Sequence, residues 1–333
     1  MDNARRSHPG ILTVSATVSV IVPAYNRAAL IGETLECLLR QTLPPHELFV
    51  VDDGSTDDTV STVRHFGDRI TLIQQPNAGP GAARNTALAR ATGDFIQFFD
   101  SDDLCTADKL AAQAAALEFS GADIAYGPWI KARLEHGKAF YDGLVYQQDA
   151  LAGEPLEAFL QTWVCFIPCC LIRRSLVVQL GGYPTHAHTA EDLELLARAI
   201  LAGARFVHAQ GGLVLVRQHP ENQISASSAG AATRLREVAQ YFAIVDGLLA
   251  AHRPKPSFGA RRAWALSGWS ARREAGLVPN GWAMSALLRV RQIRAGVRQR
   301  LGGSRMANSY MPRRLQPSQA AGIRALGYEP VAM

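Results

Sequence analysis

The stretch FIQFFDSDDL (residues 95–104) reads as a short buried strand that ends in three acids, Asp100, Asp102 and Asp103, within four positions. Crowded carboxylates repel one another and are costly to hold beside a core. Either the segment is a polar turn or something positive binds there. The flanking sequence bears on that choice. From residue 17, β-branched runs alternate with runs of helical spacing: TVSVIV, ALIGETLECLLRQ, ELFVVDD, GSTDDTVSTVRHF, RITLIQQ, NAGPGAARNTALARA and GDFIQFFD. A further helix is expected over Thr106–Phe119, and Ser55 or Thr56 is suited to cap the second helix. Alternation of this kind predicts an α/β fold, a mostly parallel sheet flanked by helices.

After Ala122 the texture changes. DIAYGPWIKARLE reads as one more strand, 136–158 as an irregular connection, WVCFIPCCLIRR as a strand and HTAEDLELLARAILAGA as a helix. RFVHA and LVLVRQHP read as closing strands, and nothing beyond about residue 226 carries a strand signal. The chain has 333 residues, enough for one large domain or two ordinary ones. Its longest nearly uncharged apolar stretch, Trp163–Ile172, is about half of the roughly 20 residues a bilayer span needs. ILTVSATVSVIVPAY near the N-terminus reads as a strand with its lead-in rather than a signal peptide, so a cytoplasmic protein is expected. Five cysteines, an odd number, argue against a disulfide framework, and CFIPCC lacks a second Cys/His pair at zinc spacing. Charge divides unevenly: residues 1–225 carry a balance of −8 and residues 226–333 one of +13, as expected of two parts with different partners.

In an open parallel sheet ligands bind beyond the carboxyl ends of the strands. Strand one ends at Pro23-Ala24-Tyr25-Asn26-Arg27 and strand two at Asp52-Asp53-Gly54-Ser55; strand three leads to Asn77-Ala78-Gly79-Pro80-Gly81 and strand four ends at Asp100-Ser101-Asp102-Asp103. Each segment alone is also good turn chemistry. Four in succession at equivalent strand ends mark a ligand crevice. The glycine loop opens a helix whose N–H groups suit anionic oxygens, with Arg84 and Asn85 in its first turns. Tyr25 offers a face for a base, and Asp53 an acceptor for an imide N–H or a ribose hydroxyl. Asp100, Asp102 and Asp103 suit a hard divalent cation, Mg²⁺ or Mn²⁺, that also bridges phosphates. Together these describe a nucleoside diphosphate site. GxxxxGK[ST] and GxGxxG are both absent, which excludes a P-loop ATPase and a dinucleotide oxidoreductase.

VSVIVPAYNR, VVDDGSTDDT, NAGPGAARN and FFDSDD, in this order and spacing, resemble the inverting family 2 glycosyltransferases over roughly residues 17–225. The resemblance implies the GT-A fold, a nucleotide-sugar donor and a metal-binding DxD motif, matched by Asp100 and Asp102 with Asp103 adjacent. It also implies a catalytic base in an acidic pair opening a helix, matched by Glu191-Asp192, with Asp192 as the base and Glu191 contacting the acceptor or supporting the loop. LGGYP (180–184) resembles the family's glycine turn before that helix. Independently of the family, inverting transfer needs one carboxylate to take the acceptor's proton and a cation for the departing diphosphate, and no protein acid for the leaving group. His219 suits the metal shell or the diphosphate, with Asn222 and Ser225 in a following loop; His186 and His188 precede the acid pair. The segment WVCFIPCCLI is expected to wall the acceptor pocket, as in similar enzymes, with Trp163 stacking on a sugar and Asp103 supporting the site or facing the sugar.

The organisation expected is a tail (1–16), a GT-A catalytic domain (17–225), a basic helical extension (226–305) and a flexible tail (306–333). ALLRVRQIRAGVRQRL carries an apolar stripe and an arginine face, downstream of Trp264 and Trp269 and beside Trp282. Residues 285–301 therefore suit either packing on the catalytic domain or peripheral contact with an anionic membrane at its inner face. No nucleic-acid motif is present. The activity expected is transfer of a hexosyl or related group from a nucleotide-diphosphate sugar, UDP favoured with GDP or dTDP allowed, to a hydroxyl acceptor such as a lipid-linked glycan, in polysaccharide or glycoconjugate synthesis. A nucleotidyltransferase would instead place a glycine-rich basic loop where PAYNR stands. A non-catalytic nucleotide-sugar-binding module would lack a base.

Overall fold

The computed structural model describes residues 15–147, 149–151, 153–160, 165–186, 190–219, 231–274 and 314–333. Strand β1 (Val18–Ala24) is buried at all seven positions, because β2 (Glu47–Asp52) and β4 (Phe95–Phe98) flank it in parallel on either side. Central position is why VSVIVPA reads as an unbroken apolar run instead of alternating. β3 (Thr71–Gln74) continues the sheet beyond β2. On the other side of β4 lie β9 (Cys170–Arg173), antiparallel to both neighbours, then β6 (Ile124–Tyr126) and β10 (Phe206–His208). The chain winds from β1 toward β3 on one side and returns as β4 on the other. That reversal places the crevice at the carboxyl ends of β1, β2 and β4. Helix α1 (Ile31–Leu39) turns Ile31, Leu35 and Leu38 into the core at helical spacing. Helix α2 (Thr59–Arg64) starts later than expected, with Asp58 and not Ser55 or Thr56 at its cap position; those two residues are bonded to the loop after β1.

A second sheet was not foreseen. It has the order β12 (Glu329–Ala332), β8 (Lys138–Tyr141), β7 (Trp129–Glu135), β11 (Val214–Arg217), β5 (Leu104–Cys105). The run 123–135, expected as one strand, is two. Between β6 and β7 (Trp129–Glu135) stand Gly127 and Pro128, and proline has no N–H for a ladder, so the chain leaves one sheet there and enters the other. β7 forms a hairpin with β8 (Lys138–Tyr141), inside the stretch expected to be irregular. β5 (Leu104–Cys105) follows the acids directly and pairs antiparallel with β11 (Val214–Arg217). The acids thus sit where the chain crosses from the end of β4 to the second sheet. Their opposite partner is the segment running out of β11 toward His219.

The described helices on the core's flank are α3 (Pro80–Leu88), α4 (Lys109–Ser120), α5 (Pro155–Leu160), α6 (Arg174–Gln179) and α7 (Glu191–Leu201). Helices α8 (Ala231–Ala251) and α9 (Phe258–Glu274) open the basic extension. They pack on the catalytic core: Tyr241, Phe242, Val245, Ala260 and Trp264 share a cluster with Phe159 and Leu195. Trp264 stacks on Phe159, with ring centroids 5.8 Å apart, and donates Nε1–H to Asp246 at 2.8 Å. It is therefore a core residue of the packed extension. Residues 285–301 and Trp282 lie outside the described residues. No described helix is long and apolar enough to cross a membrane.

The tail expected to be flexible is corrected as well. Helix α10 (Pro317–Ala325) has a capping box between Gln316 and Gln319, and β12 (Glu329–Ala332) adds in parallel to the free edge of β8. Ile323 is fully buried, and Gly322 sits against Thr106, where a Cβ would approach the Thr106 Cγ2 to 2.6 Å. The apolar signal here is one residue deep and the strand contains Pro330, so composition alone concealed it. Ile323→Ala should lower stability by about 2–5 kcal/mol; an unchanged denaturant midpoint would show that this segment does not dock.

Candidate active site

Four strand ends and one helix start converge on a single cleft. After β1, Asn26 adopts a left-handed backbone (φ 51°), which asparagine tolerates better than most residues. Its N–H donates to Ser55 Oγ at 2.9 Å and its Oδ1 accepts the Thr56 N–H at 2.8 Å. The Arg27 N–H donates to Thr59 Oγ1 at 2.7 Å. The PAYNR and DDGST loops are thereby tied into one wall. Tyr25 stands out of it, 46% exposed, the one large ring of the wall free to meet a planar ligand. Pro23 and Ala24 are buried in β1, and the Ala24 carbonyl accepts the Asp53 N–H, so their part in the site is backbone shape.

Asp53, expected to face the ligand, is turned to the protein. Its carboxylate accepts Gln75 Nε2 at 2.7 Å, the Ala78 N–H at 2.9 Å and the Gly79 N–H at 2.8 Å. Asp53 holds the glycine loop. Its neighbour Asp52, a residue given no role on sequence grounds, is buried at the tip of β2 and takes one long N–H from Ser55 at 3.4 Å. Successive residues of a strand point to opposite faces, so only one of the two acids can hold the loop. Asp52, with one long hydrogen bond against three for Asp53, is the less engaged of the two acids. Asn77 is exposed on the same loop. Gly79 has φ 89° at the start of α3, a conformation that suits glycine. Gly81 packs so tightly on the Pro184 carbonyl that a Cβ would lie 2.0 Å from its oxygen.

Arg84, on α3, is buried in the middle. Its Nη2 donates to Asp100 Oδ1 at 2.8 Å and its Nη1 to Glu191 Oε1 at 3.3 Å. Its guanidinium lies 4.6 Å from the Tyr183 ring centroid. Burial opposes its charge, but Tyr183, Asp192, Asp100 and Glu191 outweigh that and push its pKa up. One side chain therefore ties the end of β4 to the start of α7.

The acids divide by partner. Asp102 Oδ2 lies 3.1 Å from His219 Nε2 and 3.3 Å from Arg27 Nε. Burial would raise its pKa, but the His219 hydrogen bond and the Arg27 charge hold it below the usual carboxylate range. Asp100 goes to about 6: burial dominates, Arg84 opposes, and Asp192 and Asp102 add repulsion. Asp103, expected to reach the sugar in one reading, is 2% exposed. Its Oδ1 accepts the Arg217 N–H at 2.9 Å and its Oδ2 is buried without a hydrogen-bond partner among the described residues, so it supports β11. Ser101 is buried as well. Asp100 pairs with Arg84 while Asp102 pairs with His219, which departs from the three-ligand set expected of Asp100, Asp102 and His219. Among the described residues no group of three His, Cys, Asp or Glu is arranged to hold a metal. Asp102 and His219 do fit a cation completed by phosphate oxygens and water, since Mg²⁺ commonly takes only one or two carboxylates from the protein.

Across the cleft, α7 presents Glu191 buried and Asp192 half-buried. Asp192 Oδ1 accepts a hydrogen bond from the Tyr183 hydroxyl. Tyr183 was not singled out by sequence; its signal is the aromatic residue closing the GGYP turn one helix-lead before the acids. His186 Nε2 lies 2.9 Å from Glu194 Oε2 and so braces α7. Trp163, His188, Asn222 and Ser225 lie outside the described residues. Cys165, Cys169 and Cys170 are buried free thiols. Glu191 has its pKa pushed up to about 8, chiefly by burial and then by Asp192, with Arg84 opposing. Its folded-state value exceeds its ordinary value of 4.5, so the fold binds that proton more tightly than the unfolded chain. Stability contributed by the protonated form is full below about pH 4.5 and is lost as pH rises toward 8. Glu191→Gln should therefore flatten the decline in Tm between pH 5 and pH 8 by a few degrees. Parallel wild-type and variant curves would refute this.

Comparison with known proteins agrees with the geometry. Residues 19–181 match the family model described as glycosyl transferase family 2. The chain is 42% identical over 112 residues to the Escherichia coli UDP-Glc:alpha-D-GlcNAc-diphosphoundecaprenol beta-1,3-glucosyltransferase WfgD, covering 33% of this chain and 44% of that one. It is 30% identical over 215 residues to the succinoglycan biosynthesis protein ExoW of Rhizobium meliloti, covering 58% of this chain and 66% of that one. The alignments thus span less than two thirds of either relative. Among solved structures, residues 1–349 of Staphylococcus aureus TarS in complex with UDP superpose with a TM-score of 0.58 at 24% identity, over 76% of this chain and 72% of that one. That likeness shows the shared GT-A fold. Four strand-end motifs, the sheet order and the family match converge on one stretch: residues 19–181, about half of the chain, form a glycosyl transferase family 2 region.

Proposed function

We propose that the chain transfers a sugar from a nucleotide-diphosphate donor to an acceptor hydroxyl with inversion at the anomeric carbon. The observation that carries this reading is the Arg84 bridge, which sets an acid of the β4 end and the acid pair of α7 on opposite sides of one guanidinium. A donor lying along the strand ends would have its sugar beside Asp192. The wall formed by Tyr25 and Asp52 would take the base, and UDP is favoured because relatives act on or bind UDP compounds. Helix α3 and the loop held by Asp53 would face the phosphates.

In the transfer step Asp192 takes the proton of the acceptor hydroxyl, whose oxygen bonds to the anomeric carbon from the face opposite the leaving group. The bond from that carbon to the phosphate oxygen breaks, and its electron pair leaves with the nucleoside diphosphate. A divalent cation, Mn²⁺ or Mg²⁺, held by Asp102 and His219, would stabilise that negative charge. Arg27 adds a positive charge beside Asp102. Asp100, committed to Arg84, orients the cleft. A single half-buried carboxylate on the acceptor side suits inversion without a covalent intermediate.

We infer a lipid-linked or polymeric acceptor because the names of two relatives specify a GlcNAc-diphosphoundecaprenol and a poly(ribitol-phosphate), and we place the reaction in polysaccharide or glycoconjugate assembly. Contact of residues 285–301 with an anionic membrane, at its cytoplasmic face, would bring the enzyme to such an acceptor.

Asp192→Asn should lower turnover by roughly 10²–10⁴-fold while isothermal titration still reports donor binding; unchanged turnover moves the base elsewhere. Asp102→Ala should weaken metal-dependent binding of a UDP-sugar by about tenfold or more, ~1.4 kcal/mol. An identical response to Mn²⁺ in the variant would relocate the cation.

A further inference from the structure

Tyr183 carries one atom more than its packing requires. Its ring meets Phe98 edge-on, with centroids 5.0 Å apart and planes at 75°, and lies under the Arg84 guanidinium. Its backbone is clamped on both sides by Asn85: the Tyr183 N–H donates to Asn85 Oδ1 at 2.7 Å, and its carbonyl accepts from Asn85 Nδ2 at 2.9 Å. Gly182 leaves no slack, since a Cβ there would lie 2.6 Å from Asn85 Oδ1. Phenylalanine would satisfy every one of these contacts. The hydroxyl is the surplus, and a buried hydroxyl is costly unless it is bonded. Its hydrogen-bond partner is Asp192 Oδ1. Burial pushes the phenol well above its ordinary range, and Asp192 adds to this although Arg84 opposes it, so the hydroxyl keeps its proton and is the donor.

We propose that Tyr183 is a positioning residue for the base: its hydroxyl holds one oxygen of Asp192, so that the other oxygen is presented to the acceptor hydroxyl. This rests on Asp192 being the base. A carboxylate on a half-exposed helix start would otherwise rotate among rotamers and turn both oxygens to water. Held by a donor anchored on α3, it keeps a register with the donor site. The same α3 carries Arg84, and the glycine loop that leads into it is held by Asp53. Helix α3 thereby sets both the phosphate side and the base side of the reaction, and Tyr183 is the link to the base.

The test uses the full chain, UDP-glucose with Mn²⁺, and water as the acceptor, with release of UDP as the rate and isothermal titration of UDP for binding. Tyr183→Phe should lower kcat at least about tenfold, with KM for UDP-glucose and Kd for UDP within twofold of wild type and a cooperative melt retained. Asn85→Ala, which frees the Tyr183 backbone while leaving its ring and hydroxyl in place, should lower kcat in the same sense by a smaller factor. In an Asp192→Asn background Tyr183→Phe should have no further effect on turnover. A kcat within twofold of wild type in Tyr183→Phe overturns the proposal. So does a loss of UDP binding in step with kcat, because the role would then be structural, or a loss that adds in the Asp192→Asn background. An Asp192→Asn protein that turns over normally fails the base assignment itself, a different result from an inactive Asp192→Asn beside an active Tyr183→Phe.

Discussion

The site depends on one buried cation. Arg84 enters a region that holds Asp100, Glu191 and Asp192, three acids that would repel strongly in the absence of bound ligand. A guanidinium can serve two carboxylates and an aromatic face at once because it is planar and presents donors in a fixed fork. An ammonium in its place would offer a point charge without the reach to span β4 and α7. Burial first, and then the residual repulsion, raises the pKa values of Asp100 and Glu191, which stay protonated more readily than ordinary carboxyls. A cation and a donor entering the cleft would change that balance.

The arrangement of Arg84 is itself a consequence of how α3 is held. Asp53 fastens the loop before the helix, and Gly81 lets the helix lie against Pro184 with no room for a side chain. Asn85 then clamps the turn that carries Tyr183. On the far side, β5 and β11 pair immediately after the acids, and Asp103 is buried on the Arg217 backbone. The second sheet thus delivers His219 to Asp102. Both halves of the cleft are fixed by backbone contacts, and the charged side chains are left to do the chemistry.

Much of this was legible beforehand, and the failures have separable causes. Strand ends were readable because a central parallel strand is apolar throughout and stops abruptly at polar residues, as β1 does at Tyr25 and β4 at Asp100. Asp53 was misread because two adjacent acids look alike in a sequence, while the pleat sends only one toward the glycine loop. Asp103 was left between support and the sugar for a similar reason: a cluster of three carboxylates does not reveal which is buried. The second sheet escaped because β7, β8 and β12 alternate or carry polar residues and, beyond the β7–β8 hairpin, pair with strands far away in the chain.

What the sequence determined by itself is the class of site: which residue types stand at the strand ends, in what order, and that an acid pair opens a later helix. Those are local properties, set by hydrophobic periodicity and by turn chemistry within a few residues. Only the tertiary structure decided the partners. FIQFFDSDDL contains three equivalent acids until Arg84 reaches them from α3 and Arg217 and His219 from β11 and the segment that follows it. Ion pairs and hydrogen bonds between residues about 15 to 120 positions apart depend on sheet register and helix placement, and no local pattern encodes them. The division of labour among Asp100, Asp102 and Asp103, and the Tyr183 hydroxyl on Asp192, belong to packing.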